Sequence, residues 1–221
     1  MTPVDVVLFD WGHTLFETGS SVEFVVQWAA ANGRPLSRSR VDELWEDARQ
    51  RSRTPEEIAK GRDLSPVTHR ECWLALWTEL DAAAPGVAEA LYVYEISAEG
   101  WQPYLDTRDV LETLAEHGTP VVIVSDVPFD LRPIFDHYGL RHLVREFVLS
   151  GEHGTIKPDG VLFSIALAAA GGIAPERALM VGDNVANDGA AARYGIRTLL
   201  LPVTPTGEPR GLDAVTRLLG F

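Results

Sequence analysis

The chain has 221 residues, and 19 lysines and arginines against 32 aspartates and glutamates give it a formal net charge of −13. A surface of this charge repels nucleic acid and anionic membranes, so we expect neither as a partner. The composition, 46% hydrophobic and 23% charged, is typical of a soluble globular protein, and no apolar segment approaches the ~20 residues that span a bilayer. With a single cysteine, Cys72, and no leader pattern, this predicts a cytoplasmic location.

Short apolar segments rich in β-branched residues are predicted as buried strands, at 4–9, 120–125, 147–150, 178–182 and 197–201. From residue 107 onward these strands alternate with predicted helices, at 107–117, 160–170 and 188–194. Strands that alternate with helices form a parallel sheet covered on both faces. The sequence therefore predicts an α/β fold with a Rossmann-like, doubly wound parallel sheet.

The segment between the first two strands differs, because it has helical periodicity and no convincing strand. Helices are predicted at 22–31, 39–51, 66–80 and 87–96. Tryptophans at helix-compatible positions are interpreted as the core of a helical unit: Trp28, Trp45, Trp73 and Trp77. We therefore predict an α/β core of residues 1–16 and 100–221, with an inserted all-helical unit of residues 17–99.

Polar residues follow four of the predicted strands, in the blocks Asp10–Thr14, Ser125–Asp126, Lys157–Pro158 and Gly182–Asp188. Ligands of parallel α/β sheets bind at the carboxyl ends of the strands, so these blocks should converge on one crevice. A carboxylate there can form a covalent phosphoryl intermediate, and carboxylates also hold magnesium ions that contact substrate phosphates. Lys157 would neutralise charge on the transferred group, and Ser125 would donate a hydrogen bond to a phosphate oxygen.

The four blocks, in this order, resemble the haloacid dehalogenase-like superfamily over residues 1–16 and about 100–205. The resemblance implies a Mg²⁺-dependent phosphohydrolase that acts on a small soluble phosphorylated metabolite, with Asp10 as the transiently phosphorylated nucleophile. It assigns the magnesium ion to Asp10, the Gly12 carbonyl and Asp183, with Asp188 in a supporting position. The helical unit would then be a mobile cap that excludes water and selects the substrate.

Further residues near these blocks are candidates for substrate contacts: Thr14, Asp126, Lys60 and Arg62. Lys60 and Lys157 are the only lysines of the chain. Arg51 and Arg53 lie close to Arg62 in sequence and are further candidates for binding an anionic substrate. The sequence leaves the oligomeric state open between a monomer and a homodimer.

Gly12 departs from the pattern, since phosphatases of the superfamily usually have an aspartate there that acts as general acid and base. Loss of such a group typically costs ~10²–10⁴-fold in rate. Three explanations are open. His13 replaces the aspartate, or the leaving group is an acyl phosphate that needs no proton, or the protein resembles phosphonoacetaldehyde hydrolase and uses Lys60 as a Schiff base.

Two other functions are compatible with Gly12. A metal-free dehalogenase also lacks the second aspartate, but the acidic pair Asp183 and Asp188 argues against that chemistry. A catalytically weakened binding protein would retain the fold, yet it has no physical need for Lys157 together with Asp183. We therefore favour an enzyme.

Overall fold

The computed structural model describes residues 3–202 and 204–221, so Met1, Thr2 and Val203 of the predicted α/β core lie outside the described residues. Within the described part the strands are β1 (Val6–Phe9), β2 (Phe16–Thr18), β3 (Trp101–Pro103), β4 (Val121–Ser125), β5 (Glu146–Leu149), β6 (Ala178–Gly182) and β7 (Arg197–Leu200). The helices are α1 (Ser21–Ala31), α2 (Arg38–Arg51), α3 (Pro55–Ile58), α4 (Pro66–Leu76), α5 (Thr78–Ala83), α6 (Val87–Glu95), α7 (Thr107–Glu116), α8 (Arg132–His137), α9 (Ser150–His153), α10 (Gly160–Ala169) and α11 (Asp213–Leu219).

A five-stranded sheet in the order β5-β4-β1-β6-β7 forms the centre of the molecule, and all its strand pairs are parallel. In the central strand, Val7 pairs with Val121 on one side and Val6 pairs with Ala178 on the other. The chain therefore moves in opposite directions across the sheet from β1, and such a switch point opens a crevice at the carboxyl end of the central strand.

Both faces of the sheet are buried, which explains why its strands read as continuous apolar runs. Val7 and Phe9 point into a core that includes α7, α8 and α11, whereas Val6 and Leu8 point into a second core with α10. This alternation is the two-residue period of a strand. The doubly wound parallel sheet is the predicted fold class, and it is confirmed.

Helices α1, α2, α4, α5 and α6 pack around a separate apolar core. Ser20 and Ser37 begin α1 and α2 by accepting backbone N–H groups of the first turn, and Pro55 occupies the first turn of α3. The largest buried side chain of this core is Trp77. At the same residue the predicted helix 66–80 is interrupted, so that it forms two helices, α4 and α5.

The antiparallel pair β2–β3 was not predicted. It joins the two chain segments that lead into and out of the helices, with Phe16 opposite Pro103 and Thr18 opposite Trp101. Three residues per strand give no recognisable alternation in the sequence, because the pairing partner lies more than 80 residues away. The pair brings Trp101 next to the loop that follows β1.

Smaller differences concern short elements. Residues 188–194, predicted as an α-helix, form a 3₁₀ helix at Gly189–Tyr194 instead. Single-turn helices such as α3 and α9 are too short to give a hydrophobic period. No helix among residues 3–202 and 204–221 has both the length and the apolar character needed to cross a membrane.

Candidate active site

A cleft of about 530 Å³ lies between the carboxyl edge of the sheet and the helices α1–α6. Its floor contains residues that follow β1, β4 and β6, and its opposite wall comes from α2, α4 and the turn after α3. A volume of this size suits a small-molecule ligand. All four sequence blocks contribute at least one residue to the cleft.

Asp10 directly follows β1, and its backbone N–H donates to Val181 O at 2.9 Å. Its side chain is almost completely buried and accepts three side-chain hydrogen bonds. Thr14 Oγ1 lies 3.3 Å from Oδ2, while Ser125 Oγ and Lys157 Nζ lie 3.4 Å and 2.8 Å from Oδ1. These donors come from the turn after β1, the last residue of β4 and the loop before α10, so they fix the orientation of the carboxylate.

Residues 11–16 form a tight turn in which Trp11 O accepts the backbone N–H groups of Thr14, Leu15 and Phe16. The turn places His13 at φ +58°, a left-handed conformation that is uncommon for residues other than glycine. Arg210 stabilises this turn, because its guanidinium Nε donates to His13 O at 2.6 Å. Arg210 is buried and nearly 200 residues distant in sequence, and no local pattern indicated its role.

Lys157 is almost completely buried, and each of its three ammonium donors has an acceptor. Nζ lies 2.8 Å from Asp10 Oδ1, 2.6 Å from Asp188 Oδ1 and 3.0 Å from Val124 O. Burial alone would lower the pKa of Lys157, but the negative charges of Asp10, Asp188 and Asp126 outweigh it, and the pKa is raised. Lys157 therefore stays positively charged inside the cleft.

Asp188 is fully buried and accepts two backbone N–H groups at Oδ2, from Asp183 at 3.1 Å and Asn184 at 2.9 Å. This arrangement requires glycine at position 182, since a Cβ there would lie 2.2 Å from Asp188 Oδ2. Burial and the nearby charge of Asp10 raise the pKa of Asp188, and burial and the charge of Asp188 raise that of Asp183. The anionic forms of both groups are therefore destabilised even though Lys157 lies beside Asp188.

Asp10, Asp183 and Asp188 form a group in which one carboxylate oxygen of each residue lies within 4.8 Å of those of the other two. Three carboxylates around a cleft supply the hard oxygen ligands that Mg²⁺ prefers. The raised pKa values of Asp183 and Asp188 fit the same interpretation, because a divalent cation would relieve the repulsion between these side chains. The residues present therefore fit a magnesium ion.

Asp126 lines the cleft, but protein groups occupy both of its carboxylate oxygens. Oδ1 accepts the backbone N–H of Lys157 at 2.8 Å, and Oδ2 accepts Asn187 Nδ2 at 3.2 Å. Burial raises its pKa to about 6, although the positive charge of Lys157 acts in the opposite direction. Asp126 thus ties the loop after β4 to two other loops, whereas the sequence suggested a substrate contact.

Two predicted substrate contacts need correction, because neither residue lines the cleft. Thr14 is fully buried, does not line the cleft and holds Asp10 in place. Lys60 is 46% exposed at its side chain, pairs with Glu57 and lies outside the cleft. The hydrogen bond to Glu57 raises the pKa of Lys60, which is the reverse of what a Schiff-base lysine requires, so the geometry does not support that alternative.

Arg62 does line the cleft, as predicted for a substrate contact. Its Nη1 donates to Ser52 O at 2.8 Å, and its guanidinium carbon lies 5.4 Å from the centre of the Trp73 ring. Arg53, on the turn before α3, is exposed and also lines the cleft. Arg51 does not, since it pairs with Asp47 on the surface of α2.

Gly12 and His13 also line the cleft. The His13 ring is exposed, and its centre lies 6.0 Å from that of Trp101. Among the described residues, no side-chain hydrogen bond fixes the imidazole of His13. It is therefore free to turn toward a ligand, and its acid–base role stays a prediction.

Aromatic side chains form much of the cleft surface, and the sequence interpretation of the tryptophans missed this. Those that line the cleft are Trp11, Trp45, His69, Trp73, Trp77, Tyr92, Trp101 and Phe129. Trp77 is buried in the helical core as predicted, but Trp45 and Trp73 are only partly buried and present surface to the cleft.

His69 connects two of these aromatic residues. The indole N–H of Trp73 donates to Nε2 of His69 at 3.1 Å, and Nδ1 of His69 lies 3.1 Å from Tyr92 Oη. An indole N–H only donates, so Nε2 must be unprotonated and the imidazole neutral. Burial lowers the pKa of His69 to about 4, with a smaller contribution from the positive charge of Arg62.

A buried carboxylate, a buried lysine and an acidic cluster at the carboxyl end of the central strand are features of the active site of an α/β enzyme. A family model described as haloacid dehalogenase-like hydrolase matches residues 4–195. The chain belongs to this family. Its membership confirms the resemblance given above and the prediction of a hydrolase.

Among curated proteins, a phosphoserine phosphatase from Thermus thermophilus is 44% identical over 77 residues, which are 32% of this chain and 30% of that protein. A ribulose-1,5-bisphosphate 5-phosphatase from Halopiger xanaduensis is 29% identical over 148 residues, 63% of this chain and 59% of that protein. The alignments thus span less than two thirds of the length of either relative.

Solved structures cover the whole chain at lower identity. The putative HAD-hydrolase YfnB from Bacillus subtilis superposes with a TM-score of 0.70 at 18% identity, over 100% of both chains. A HAD phosphatase from Thermococcus onnurineus superposes with a TM-score of 0.67 at 20% identity, over 98% of both chains. The L-2-haloacid dehalogenase RSc1362 superposes with a TM-score of 0.71 at 18% identity, over 100% of both chains. At this identity the likeness shows the fold alone.

Proposed function

We propose that the protein is a Mg²⁺-dependent phosphohydrolase that acts on a small phosphorylated metabolite through an aspartyl phosphate at Asp10. One observation carries the proposal: Asp10 is in contact with Lys157 and forms a carboxylate cluster with Asp183 and Asp188. The two curated relatives, both named as phosphatases, support phosphate esters over halides.

In the first step a carboxylate oxygen of Asp10 attacks the phosphorus atom. A bond forms between phosphorus and that oxygen, the bond to the leaving oxygen breaks, and its electron pair stays on the leaving group. Lys157 neutralises charge that develops on the phosphoryl oxygens, and Ser125 Oγ has a hydroxyl proton to donate to them. Thr14 holds the second oxygen of Asp10 during the attack.

In the second step water attacks the phosphorus atom of the aspartyl phosphate. The bond to Asp10 breaks, which restores the carboxylate and yields inorganic phosphate. His13, which lines the cleft, is the proposed base for this water. Because the imidazole has no fixed partner among the described residues, it can turn toward the reacting oxygen.

Asp10, the Gly12 carbonyl, Asp183 and Asp188 would hold the magnesium ion. Bound there, the ion neutralises phosphate charge and relieves the repulsion among the carboxylates. Asp188 has a second role, because it orients Lys157 through a 2.6 Å contact and is itself fixed by two backbone N–H groups.

The helices of residues 17–99 would act as a cap over the cleft. They supply the wall opposite Asp10, and the two strands β2 and β3 form the connection about which the cap would move. Closure would exclude water from the first step, and it would bring the side chains of the helices onto the leaving group.

The test is the covalent intermediate. Wild-type protein is mixed with Mg²⁺ and a ³²P-labelled phosphate ester, quenched in acid within milliseconds to seconds, and its bound label is counted and released with hydroxylamine. Asp10→Asn should abolish both the label and turnover. The matched control is Asp130→Asn, because Asp130 is an exposed aspartate paired with Arg132 and should label like wild type. Full turnover in Asp10→Asn would overturn the proposal.

A further inference from the structure

We infer that the substrate's leaving group is a flat aromatic ring that carries an anionic substituent, so that the protein hydrolyses an anionic aryl phosphate. The inference rests on the proposed phosphohydrolase function and names its substrate class. Three separate features of the cleft carry it: the aromatic wall, the arginines beside that wall, and the absence of an acid at Gly12.

The wall formed by α2 and α4 is a set of nearly parallel indole rings. The ring centres of Trp73 and Trp77 lie 5.2 Å apart, and their planes meet at 26°. The ring centres of Trp45 and Trp77 lie 6.1 Å apart, and their planes meet at 20°. Trp77 is buried between its neighbours, whereas Trp45 and Trp73 are partly exposed and line the cleft. Flat apolar surfaces of this kind favour stacking with another flat ring.

The opposite side of the cleft is also aromatic. Trp101 packs on Trp11 with ring centres 4.0 Å apart, and Phe129 contacts Trp11 edge-on at 6.0 Å. Trp101 is held by a hydrogen bond from its Nε1 to Glu95 O at 2.8 Å, so this wall has a fixed orientation. A ligand ring that enters the cleft therefore meets aromatic surface from both the sheet side and the helical side.

Arginines of the helical unit stand beside the aromatic wall: Arg49, Arg53 and Arg62 line the same cleft. Arg49 already pairs with Glu46 at 3.1 Å, and Arg62 is turned toward Ser52 O and the Trp73 ring. Arg53 has no ion-pair partner among the residues that the structure describes. Because Lys157 lies with the carboxylates on the floor, these arginines would bind a second negative charge, separate from the phosphate.

A phenolic leaving group also removes the difficulty at Gly12. An alkoxide is a strong base and needs a proton as the ester bond breaks, whereas a phenol ionises near pH 10 and leaves far more easily as its anion. When Asp10 attacks, the electron pair of the broken P–O bond remains on the phenolic oxygen and is stabilised by the ring. The phenolate then takes its proton from solvent, so no side chain has to donate one.

The first experiment compares the Mg²⁺-dependent kcat/KM of three esters: 4-carboxyphenyl phosphate, phenyl phosphate and glycerol 1-phosphate. We expect kcat/KM to fall in that order, by at least about 10²-fold from 4-carboxyphenyl phosphate to glycerol 1-phosphate. This difference is the rate contribution that a general acid would make to release of an alkoxide. Trp73→Leu should lower kcat/KM for both aryl esters, and Arg53→Gln should remove most of the preference for the carboxylated one. Their matched controls, Trp28→Leu and Arg70→Gln, lie outside the cleft and should behave like wild type.

The second experiment needs no catalysis. Binding of 4-hydroxybenzoate to the Asp10→Asn protein is measured by calorimetry, and we expect it to weaken in Asp10→Asn combined with Trp73→Leu or Arg53→Gln. Equal kcat/KM for glycerol 1-phosphate and the aryl esters, with no 4-hydroxybenzoate bound, overturns the inference while the proposed function stands. Failure of Asp10 to become labelled with every ester overturns the proposed function and the inference with it.

Discussion

Gly12 faces the indole ring of Trp101: a Cβ atom built on Gly12 would lie 3.4 Å from Cη2 of that ring, an ordinary van der Waals contact. The backbone of Gly12 is not in the left-handed region, so a larger residue is not excluded by strain. The glycine is therefore required neither by the turn nor by packing. Its consequence is chemical, since it leaves the cleft without a carboxyl group two residues after Asp10.

Gly12→Asp should raise kcat for alkyl phosphates by about 10²-fold, the lower end of what general acid–base catalysis contributes, because Trp101 restricts the orientation of the new carboxyl group. Phenol release in the first turnover should change little. Pre-steady-state bursts with glycerol and phenyl esters measure both effects. Gly12→Asn is the control, because it has the same shape without the proton; an equal gain in that variant would contradict the explanation.

Lys157→Met should destabilise the protein by about 3–5 kcal/mol at pH 7.5 without Mg²⁺, because Asp10 and Asp188 lose the cation between them. This loss of stability should shrink as pH falls, because Asp188, whose pKa is already raised, takes up a proton. Urea denaturation at pH 7.5 and pH 5 measures it. Lys60→Met removes the other lysine, which is exposed, and should leave the midpoint of urea denaturation close to that of wild type. Similar stability of both variants would contradict the prediction.

The sequence was sufficient to predict the parallel sheet, because strands buried on both faces, such as β1 and β4, leave continuous apolar runs. It also indicated the helices that have a full hydrophobic period, such as α1 and α2. The break at Trp77 was not predictable, since the residues on both sides of it are helical and give no signal of an interruption. The strands β2 and β3 were missed because each consists of three residues paired over a long sequence distance.

The site was predicted where chemistry and strand ends coincide, as with Asp10, Lys157 and Asp183. The sequence did not distinguish a residue that lines the cleft from one that supports it. Thr14 follows the same strand as Asp10 and yet does not line the cleft, and the role of Arg210 depends on a contact across the fold. The aromatic wall was missed for a similar reason, because helical spacing alone does not distinguish a buried ring from one at a cleft.

His69 should make the protein less stable as pH falls from 6.5 toward 4. Its pKa is about 4 in the folded protein against an ordinary value of 6.5, so the unfolded chain binds the extra proton in this range. The contribution of the neutral imidazole to the free energy of folding is therefore fully present above pH 6.5. Between pH 7 and pH 5 about 2 kcal/mol of it is lost.

Urea denaturation of wild type and His69→Gln at pH 7 and pH 5 measures this effect. The decrease in the free energy of unfolding from pH 7 to pH 5 should be smaller by about 2 kcal/mol in His69→Gln than in wild type, because glutamine does not titrate. Asp126 has a raised pKa of about 6 and acts in the opposite direction, but it is present in both proteins and cancels. An identical loss in both proteins would show that the imidazole of His69 is not protected from protonation.

Asp183→Asn should weaken Mg²⁺ binding and yet leave the metal-free protein at least as stable as wild type. Burial and Asp188 raise the pKa of Asp183 despite the nearby positive charges of Arg210 and Lys157, so removing the charge of Asp183 relieves repulsion in the metal-free protein. At 100 times Kd, Mg²⁺ should stabilise wild type by about 2.7 kcal/mol, which corresponds to about 5–10 °C in Tm. Thermal melts with EDTA and with a Mg²⁺ series measure both quantities. Asp42→Asn, which changes an exposed aspartate on α2, should show the same Mg²⁺-dependent rise in Tm as wild type. If Asp183→Asn also shows that rise, the carboxylate cluster is not where the ion binds.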